Sequence, residues 1–316
     1  MYGQPKLINN KAKQIIVMKN YFLIPFLVFC FTIGLAQEAT EEKSEIQEEN
    51  TAGEQSAASK AMDATATQWS FQFAYQDMPD YYDDLVNGAP RRPGLDNYLQ
   101  LRVVAPVPLK GLTILPRVTI RHYEDLSNGK TGFGNTEIFA LIIPKATDWG
   151  SGRAGIGPLM TTPGSEGVSK DEWGFGFSAA IVNNSGQWFY GLLFTQSWRS
   201  VDPRTLQPSD DPNATGPIDS NANPLGISPF LNYRFGSSGF YLGTADIVAT
   251  YDWNTKGFYL PLGLRFGKVW VLEKGSINAY VEYRTSAIYK SWQGPAVKNS
   301  FRVNFTYTMP VGGGKK

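Results

Sequence analysis

The 316-residue chain has very few of the side chains from which catalytic and metal sites are commonly built. It contains one cysteine, Cys30, and one histidine, His122. A disulfide needs two cysteines and a conventional zinc site draws on several cysteine and histidine ligands, so the composition excludes both. We therefore expect no metal ion and no cofactor. The formal net charge is only +1, which argues against a nucleic-acid partner.

Long hydrophobic runs are also scarce. Residues 21–35 form one apolar run, which follows Lys19 and ends just before Ala36. A positive residue, a short apolar run and a small residue are typical of a cleaved signal peptide, whereas a membrane helix needs about 20 apolar residues. We predict a signal peptide at residues 18–36, cleaved after Ala36, and an over-extended start at residues 1–17. Cys30 is either a plain signal-peptide residue or a lipidation site, and the bulky Phe29 before it fits lipidation poorly.

What the chain does have is a strict alternation of apolar and polar residues. In the last such segment Phe301, Val303, Phe305 and Tyr307 alternate with Arg302, Asn304, Thr306 and Thr308. Successive side chains of a strand point to opposite faces, so this segment has one apolar and one polar face. Stretches of about ten residues with this pattern are typical of transmembrane β-strands. The pattern predicts twelve strands, at residues 69–77, 95–107, 112–123, 133–144, 152–161, 172–183, 186–198, 226–235, 239–251, 258–271, 276–289 and 300–309.

The connections between these segments alternate between long and short, as in barrels with longer extracellular loops and short periplasmic turns. We therefore predict an all-β fold: a transmembrane, antiparallel, up-and-down β-barrel of about twelve strands, formed by residues 69–316. The longest loop, residues 199–225, is rich in proline and is either a solvated surface loop or a cap over the barrel mouth. Aromatic residues near strand ends are expected to form girdles at the membrane interfaces, namely Trp69, Tyr98, Trp173, Trp188, Trp198, Trp270 and Tyr289.

Residues 37–68 differ from the barrel segment in composition. They contain many glutamates among Ala, Ser, Thr and Gln, and no aromatic residue. Such a segment buries too little apolar surface to fold alone, so we predict an acidic, disordered periplasmic tail. Its entry into the barrel as a plug is the alternative.

Several short stretches resemble a family of uncharacterised outer-membrane barrels related to those of meta-pathway phenol degradation. These barrels are usually called transporters, and some carry the peptide-hormone name neuromedin U. The matching stretches are GFGNTE at 132–137, WGSGRAGIGP at 149–158, WGFG at 173–176, GLLFTQSW at 191–198, PFLNY at 229–233 and LPLGLRFGK at 260–268. The resemblance implies a barrel that passes small molecules, and it implies no mapped site.

The polar face of each predicted strand is expected to line the lumen. A positive charge on the lipid-facing side costs about 2–4 kcal/mol near the membrane midplane, so an inward position is also favoured energetically. This assigns ten charged residues to the lumen: Arg102, Arg117, Arg121, Glu137, Arg153, Arg234, Arg265, Glu282, Arg284 and Arg302. Asp246 is a further candidate. Arginines outnumber carboxylates in this set, which predicts either a positive, anion-favouring lumen or a rigid one filled by ion pairs. No clearly apolar path is visible among the inward positions.

Twelve strands is also the size of outer-membrane phospholipases, which resemble one another in a His-x-Ser pair on a strand. In this chain His122 is followed by Tyr123 and Glu124, so the serine is missing. We therefore expect no enzyme. The sequence predicts a porin-like channel for passive transport of small molecules in the outer membrane of a Gram-negative bacterium. Its expected partners are outer-membrane lipid, the barrel-assembly machinery and a small-molecule solute. The alternatives are a structural or surface-interaction barrel with a closed lumen and, after it, an outer-membrane enzyme or a hydrocarbon uptake channel.

Overall fold

The computed structural model describes residues 57–62, 68–82, 85–86, 89–90, 96–124, 126, 129–166, 168–169, 172–199, 223–254, 256–292 and 296–311. The predicted signal peptide, most of the acidic tail and most of the longest loop lie outside the described residues. None of the helices within the described residues is long and apolar enough to cross a membrane.

The described residues form strands almost throughout. In chain order these are β1 (Gln68–Tyr82), β2 (Leu85–Val86), β3 (Ala89–Pro90), β4 (Asp96–Val104), β5 (Val107–Leu109), β6 (Leu112–Glu124), β7 (Gly132–Phe133), β8 (Glu137–Pro144), β9 (Gly152–Thr161), β10 (Gly174–Ser185), β11 (Trp188–Arg199), β12 (Pro224–Arg234), β13 (Phe240–Thr244), β14 (Ala249–Asp252), β15 (Phe258–Leu272), β16 (Gly275–Lys290) and β17 (Ala296–Pro310).

These strands form a closed antiparallel barrel with twelve strand positions. Each long strand pairs with the next along the chain, and β1 pairs with β17 to close the sheet. β13 and β14 share one position, β5 and β7 extend the pairing of β6, and β2 and β3 form a separate hairpin. The predicted fold class, an all-β up-and-down barrel of twelve strands, is confirmed.

The alternation seen in the sequence separates the inside of the barrel from the outside. In β17 the side chains of Arg302, Asn304, Thr306 and Thr308 are buried, whereas Phe301 is 51% exposed. Other large apolar side chains are similarly exposed on the outer face, among them Phe73, Ile156, Phe175, Leu264 and Val281. The barrel therefore has an apolar exterior and a largely polar interior, as expected for a sheet that contacts lipid.

The two ends of the barrel differ in the length of their connections. At one end, here called the short-turn end, the strands are joined at residues 110–111, 145–151, 186–187, 235–239 and 273–274. At the other, the long-loop end, the longest connections span residues 83–95, 125–136, 162–173 and 200–223. The connection predicted at residues 290–299 is shorter than expected, because β16 extends to Lys290 and β17 begins at Ala296.

The strand predicted at residues 239–251 is interrupted in the structure. Residues 245–248, here called the inward turn, leave the sheet between β13 and β14, and Ala245 and Ile247 are buried. The Ala245 N–H still donates to the Gly263 carbonyl at 3.0 Å. Each flanking strand carries a proline near this break, Pro229 in β12 and Pro261 in β15. Proline has no backbone N–H. β12 and β15 therefore have fewer donors for sheet hydrogen bonds where the inward turn leaves the sheet.

A short helix occupies the short-turn end of the lumen. This helix, α1 (Ala57–Met62), belongs to the segment for which composition predicts disorder. Ala61 is buried in a cluster with Tyr241, Val269 and Tyr280, and Met62 packs against the same cluster. This cluster supplies the apolar contact that residues 37–68 cannot provide by themselves.

Candidate functional site

The structure brings eight of the ten predicted lumen residues into one charged cluster inside the barrel. Its members are Arg102, Arg117, Arg121, Glu137, Arg265, Glu282, Arg284 and Arg302. They come from six strands, with β4, β6 and β8 on one side of β1 and β15, β16 and β17 on the other. Strand alternation directs each of them inward.

Asp246 joins this cluster from the inward turn. Its Oδ2 atom lies 3.4 Å from Arg302 Nη1 and 3.8 Å from Arg102 Nη2. Its backbone is held as well, because the N–H donates to Glu282 Oε2 at 2.9 Å and the carbonyl accepts from Arg284 Nη1 at 2.7 Å. Because the strand is interrupted between β13 and β14, the carboxylate of Asp246 lies close to the arginines. The sequence named Asp246 only as an additional candidate.

Glu282 is the second carboxylate of the cluster, and its side chain is fully buried. In the sheet register it lies directly between Arg265 of β15 and Arg302 of β17. Its carboxylate oxygens are 3.2 Å from Arg265 Nη2 and 3.4 Å from Arg284 Nε. The Arg265 guanidinium also lies 4.5 Å from the centre of the Tyr280 ring. The ion pairs and the ring contact together hold Arg265 against the wall.

Glu137 supplies the third carboxylate and contacts Arg117. The distance between Arg117 Nη2 and Glu137 Oε1 is 3.6 Å. The Arg117 guanidinium also lies over the ring of Phe139, 4.6 Å from its centre. Phe139 faces Arg117 directly in the β6–β8 register. Arg117 therefore stands where charged and apolar side chains of the lumen meet.

Arg121 differs from the other arginines of the cluster in having a neutral partner. Its Nε donates to Gln100 Oε1 at 3.2 Å, and its guanidinium lies 6.0 Å from the centre of the Tyr98 ring. Among the described residues, no carboxylate lies within ion-pairing distance of Arg121. The cluster therefore contains six arginines and three carboxylates, and Arg121 is the clearest source of its positive excess.

The remaining two predicted residues, Arg153 and Arg234, lie at the short-turn end and not in the cluster. Arg153 lies at the start of β9, just after residues 145–151, and its backbone pairs with that of Asp148 in an isolated β-bridge. The Arg234 Nη2 atom donates to the Gly186 carbonyl in the adjacent short turn. Both arginines therefore lie beside turns of this rim.

Sequence reasoning missed the neutral polar groups that surround the charges. Tyr98 was expected in an interfacial girdle, and this is wrong: it is 8% exposed, and its hydroxyl donates to Gln76. Gln76 in turn donates to Ser300 Oγ at 3.0 Å. Tyr98 lies an even number of positions from Arg102, so strand parity would have placed it in the lumen.

Charged and apolar walls enclose a chamber of about 220 Å³ within the barrel. Arg102, Arg117, Arg121, Asp246 and Arg265 belong to the charged wall, and the apolar wall includes Leu115, Phe139, Leu141, Phe189, Leu193 and Phe230. Ala61 and Met62 of α1 border the chamber as well. Sequence reasoning did not identify this apolar wall. It failed because the apolar residues lie on different strands and meet only across the lumen.

Several guanidinium donors of the cluster remain without a partner within the described part of the chain. These buried atoms are Arg117 Nε, Arg265 Nε, Arg302 Nε and Arg302 Nη2. A buried donor without a partner is costly, and a charged one more so, unless water or a ligand satisfies it. The cluster thus has a surplus of positive charge and of hydrogen-bond donors.

The comparisons with known proteins agree with this architecture. No protein-family model and no curated protein sequence matches the chain. Among solved structures, it is similar to the COG4313 outer membrane channel from Pseudomonas putida F1, with a TM-score of 0.53, 16% identity, and coverage of 77% of this chain and 95% of that one. The fold is that of an outer-membrane barrel. The finer resemblance to the phenol-degradation barrels stays a prediction.

More distant solved structures include both a porin and an enzyme. The KdgM porin has a TM-score of 0.42 at 11% identity, covering 75% of this chain and 98% of the porin. Outer membrane phospholipase A from Escherichia coli has a TM-score of 0.43 at 13% identity, covering 76% of this chain and 89% of the enzyme. The expectation that the chain is not an enzyme is corrected accordingly, because an enzyme occurs among the barrels to which it is similar.

Proposed function

We propose that this protein is an outer-membrane channel through which small molecules pass passively, with anions favoured over cations. The observation that carries the proposal is the composition of the lumen cluster, in which six arginines face three carboxylates. Rings of arginine or lysine make pores that favour anions. Arg121 contributes most directly, because its partner Gln100 leaves its charge uncompensated.

The outer surface of the barrel supports a location in the outer membrane of a Gram-negative bacterium. Phe73, Phe175 and Leu264 are each more than half exposed on that surface, which suits contact with acyl chains better than contact with water. Export would use the signal peptide, with cleavage near Ala36, and insertion would use the barrel-assembly machinery. In this orientation the short-turn end faces the periplasm and the long-loop end faces the exterior.

A closed barrel with a structural or surface-interaction role is the second candidate. Two observations favour it: α1 packs inside the short-turn end, and Asp246 joins Arg102 to Arg302 within the lumen. A hydrocarbon uptake channel would use the apolar wall of the chamber, but it would leave the buried arginines without a role. Passage of ions separates the open channel from both alternatives.

The test is a planar-bilayer recording of the mature chain, beginning at Gln37, after refolding. A potassium chloride gradient across the bilayer gives a reversal potential, from which the ratio of chloride to potassium permeability follows. Discrete openings with chloride favoured support the proposal. A folded barrel that conducts no ions would favour the closed scaffold, and a cation preference would contradict the role given to the arginines.

A further inference from the structure

We infer that the lumen chamber binds small organic monoanions that carry an apolar body, such as a simple aromatic carboxylate. The inference rests on the proposed channel function and names the class of solute that this channel would select. It comes from the juxtaposition of two walls of opposite character inside one cavity.

The two walls meet at Arg117 and Phe139. These residues face each other in the β6–β8 register, and the guanidinium lies 4.6 Å from the centre of the ring. Arg121 follows Arg117 on the same inward face of β6, while Leu115 precedes it on that face. A single strand thus presents Leu115, Arg117 and, beyond Thr119, Arg121 on its inward face. A molecule lying against this strand would meet both environments at once.

The charged wall is suited to an anionic head group. A guanidinium binds a carboxylate through paired, charge-assisted hydrogen bonds, which are about twice as strong as neutral ones. Arg121 has a neutral partner, and Arg117 Nε is buried with no partner among the described residues. A bound carboxylate would satisfy these donors without displacing Asp246 or Glu282 from their own ion pairs.

The apolar wall is suited to a compact hydrophobic body. Phe139 and Phe189 are almost fully buried, and Phe230 lies 5.2 Å from Phe189 between ring centres. The chamber of about 220 Å³ exceeds the roughly 150 Å³ of an apolar cavity known to hold benzene, so its volume is sufficient for a substituted ring with one carboxylate.

Other solute classes use only half of this chamber. An inorganic anion or acetate would contact the arginines and leave the apolar wall unused. A neutral hydrocarbon would remove water from the charged wall without replacing its hydrogen bonds, which is unfavourable. A solute with both parts gains from both walls, and this is the physical basis of the selectivity we infer.

The experiment uses the refolded mature chain in detergent and measures binding by titration calorimetry. Three probes are compared: benzoate, its neutral analogue benzamide, and acetate, which has the head group without the ring. We expect benzoate to bind at least about tenfold more tightly than either of the others, since each lacks one of the two interactions. Equal affinity for benzoate and acetate, or for benzoate and benzamide, would overturn the inference.

Three variants assign the binding to the chamber. Arg121→Gln removes the uncompensated charge, and Leu193→Asn makes the apolar wall polar with a side chain of similar branched shape; each should weaken benzoate binding about tenfold. Arg234→Gln, an inward arginine at the short-turn end, is the matched control and should leave the affinity unchanged. Folding of each variant is checked by the change in electrophoretic mobility on heating. Folded Arg121→Gln or Leu193→Asn protein with unchanged benzoate affinity would contradict the inference.

The result is separable from the proposed channel function. If the mature chain conducts chloride in bilayers but binds benzoate no better than acetate, the channel stands and the inferred solute class fails. If benzoate binds selectively but no ion current is seen, the chamber stands and passive passage fails.

Discussion

Arg265 and Glu282 face each other across β15 and β16 and form an ion pair of 3.2 Å inside the barrel. Glu282 also lies opposite Arg302 in the register with β17, and its carboxylate is 3.4 Å from Arg284 Nε. One fully buried carboxylate therefore compensates several arginines. Removing its charge would leave Arg265 and Arg284 buried without their ion-pair partner.

We therefore expect Glu282→Gln to destabilise the barrel by about 3–5 kcal/mol, the usual cost of removing one partner from a buried ion pair. The measurement is denaturant-induced unfolding of the protein in lipid vesicles, followed by tryptophan fluorescence. Glu273→Gln, in the exposed turn between β15 and β16, is the control and should change the free energy of unfolding by less than about 0.5 kcal/mol. Equal stability of the two variants would show that Glu282 does not compensate the cluster.

Asp246 leads to a prediction about selectivity. Asp246→Asn removes one negative charge beside Arg102 and Arg302, while the backbone contacts of the inward turn to Glu282 and Arg284 remain possible. The lumen becomes more positive, so we expect the chloride-to-potassium permeability ratio in bilayers to rise about fivefold, equivalent to about 1 kcal/mol for one charge at close range in water. Asp148→Asn, on the exposed short-turn rim, serves for comparison. A ratio that falls, or that rises equally in both variants, would exclude Asp246 as a determinant of selectivity.

A comparison of Arg117 with Arg153 tests whether ion selectivity depends on a place in the cluster or only on an inward orientation. Both are inward arginines, but only Arg117 lies in the cluster, 3.6 Å from Glu137. In Arg117→Gln the carboxylate of Glu137 loses its partner, so the chloride-to-potassium ratio should fall about fivefold for a close-range charge in water. Arg153→Gln should leave the ratio nearly unchanged. The same reversal-potential recording reports both, and an equal effect of the two substitutions would argue against a localised selectivity site.

The sequence predicts the wall of this barrel well and its interior less well. Alternation around Arg302 and Asn304 identifies the inward face of β17, and each of the twelve predicted segments corresponds to a strand position. This works because period-two patterning is local to one strand and its two faces contact very different surroundings. Tyr98 shows that position along a strand can mislead. Its place near a strand end suggested an interfacial girdle, whereas its parity, the same as that of Arg102, places it in the lumen.

Two features of the interior depend on contacts between strands that are far apart in sequence. The inward turn at residues 245–248 interrupts a pattern that looks continuous, and the signal that could have located it lies in Pro229 and Pro261 on the neighbouring strands. The apolar wall arises because Leu115, Leu141 and Phe189 come from three different strands and meet inside the lumen. Alternation along one strand shows that a residue points inward, but it does not show which residues it meets there.

The helix α1 yields the last prediction. Ala61 is buried against Tyr241, Val269 and Tyr280, and both Ala61 and Met62 border the chamber at the short-turn end. If α1 narrows the path through the barrel, deleting residues 37–67 should increase single-channel conductance, because the helix no longer occupies that end. Deleting only residues 37–56 keeps α1 while removing most of the acidic segment, and should leave the conductance near that of the full mature chain. Conductance that is unchanged by the longer deletion would show that ions pass beside the helix, whereas an increase already present in the shorter deletion would assign the obstruction to the acidic residues.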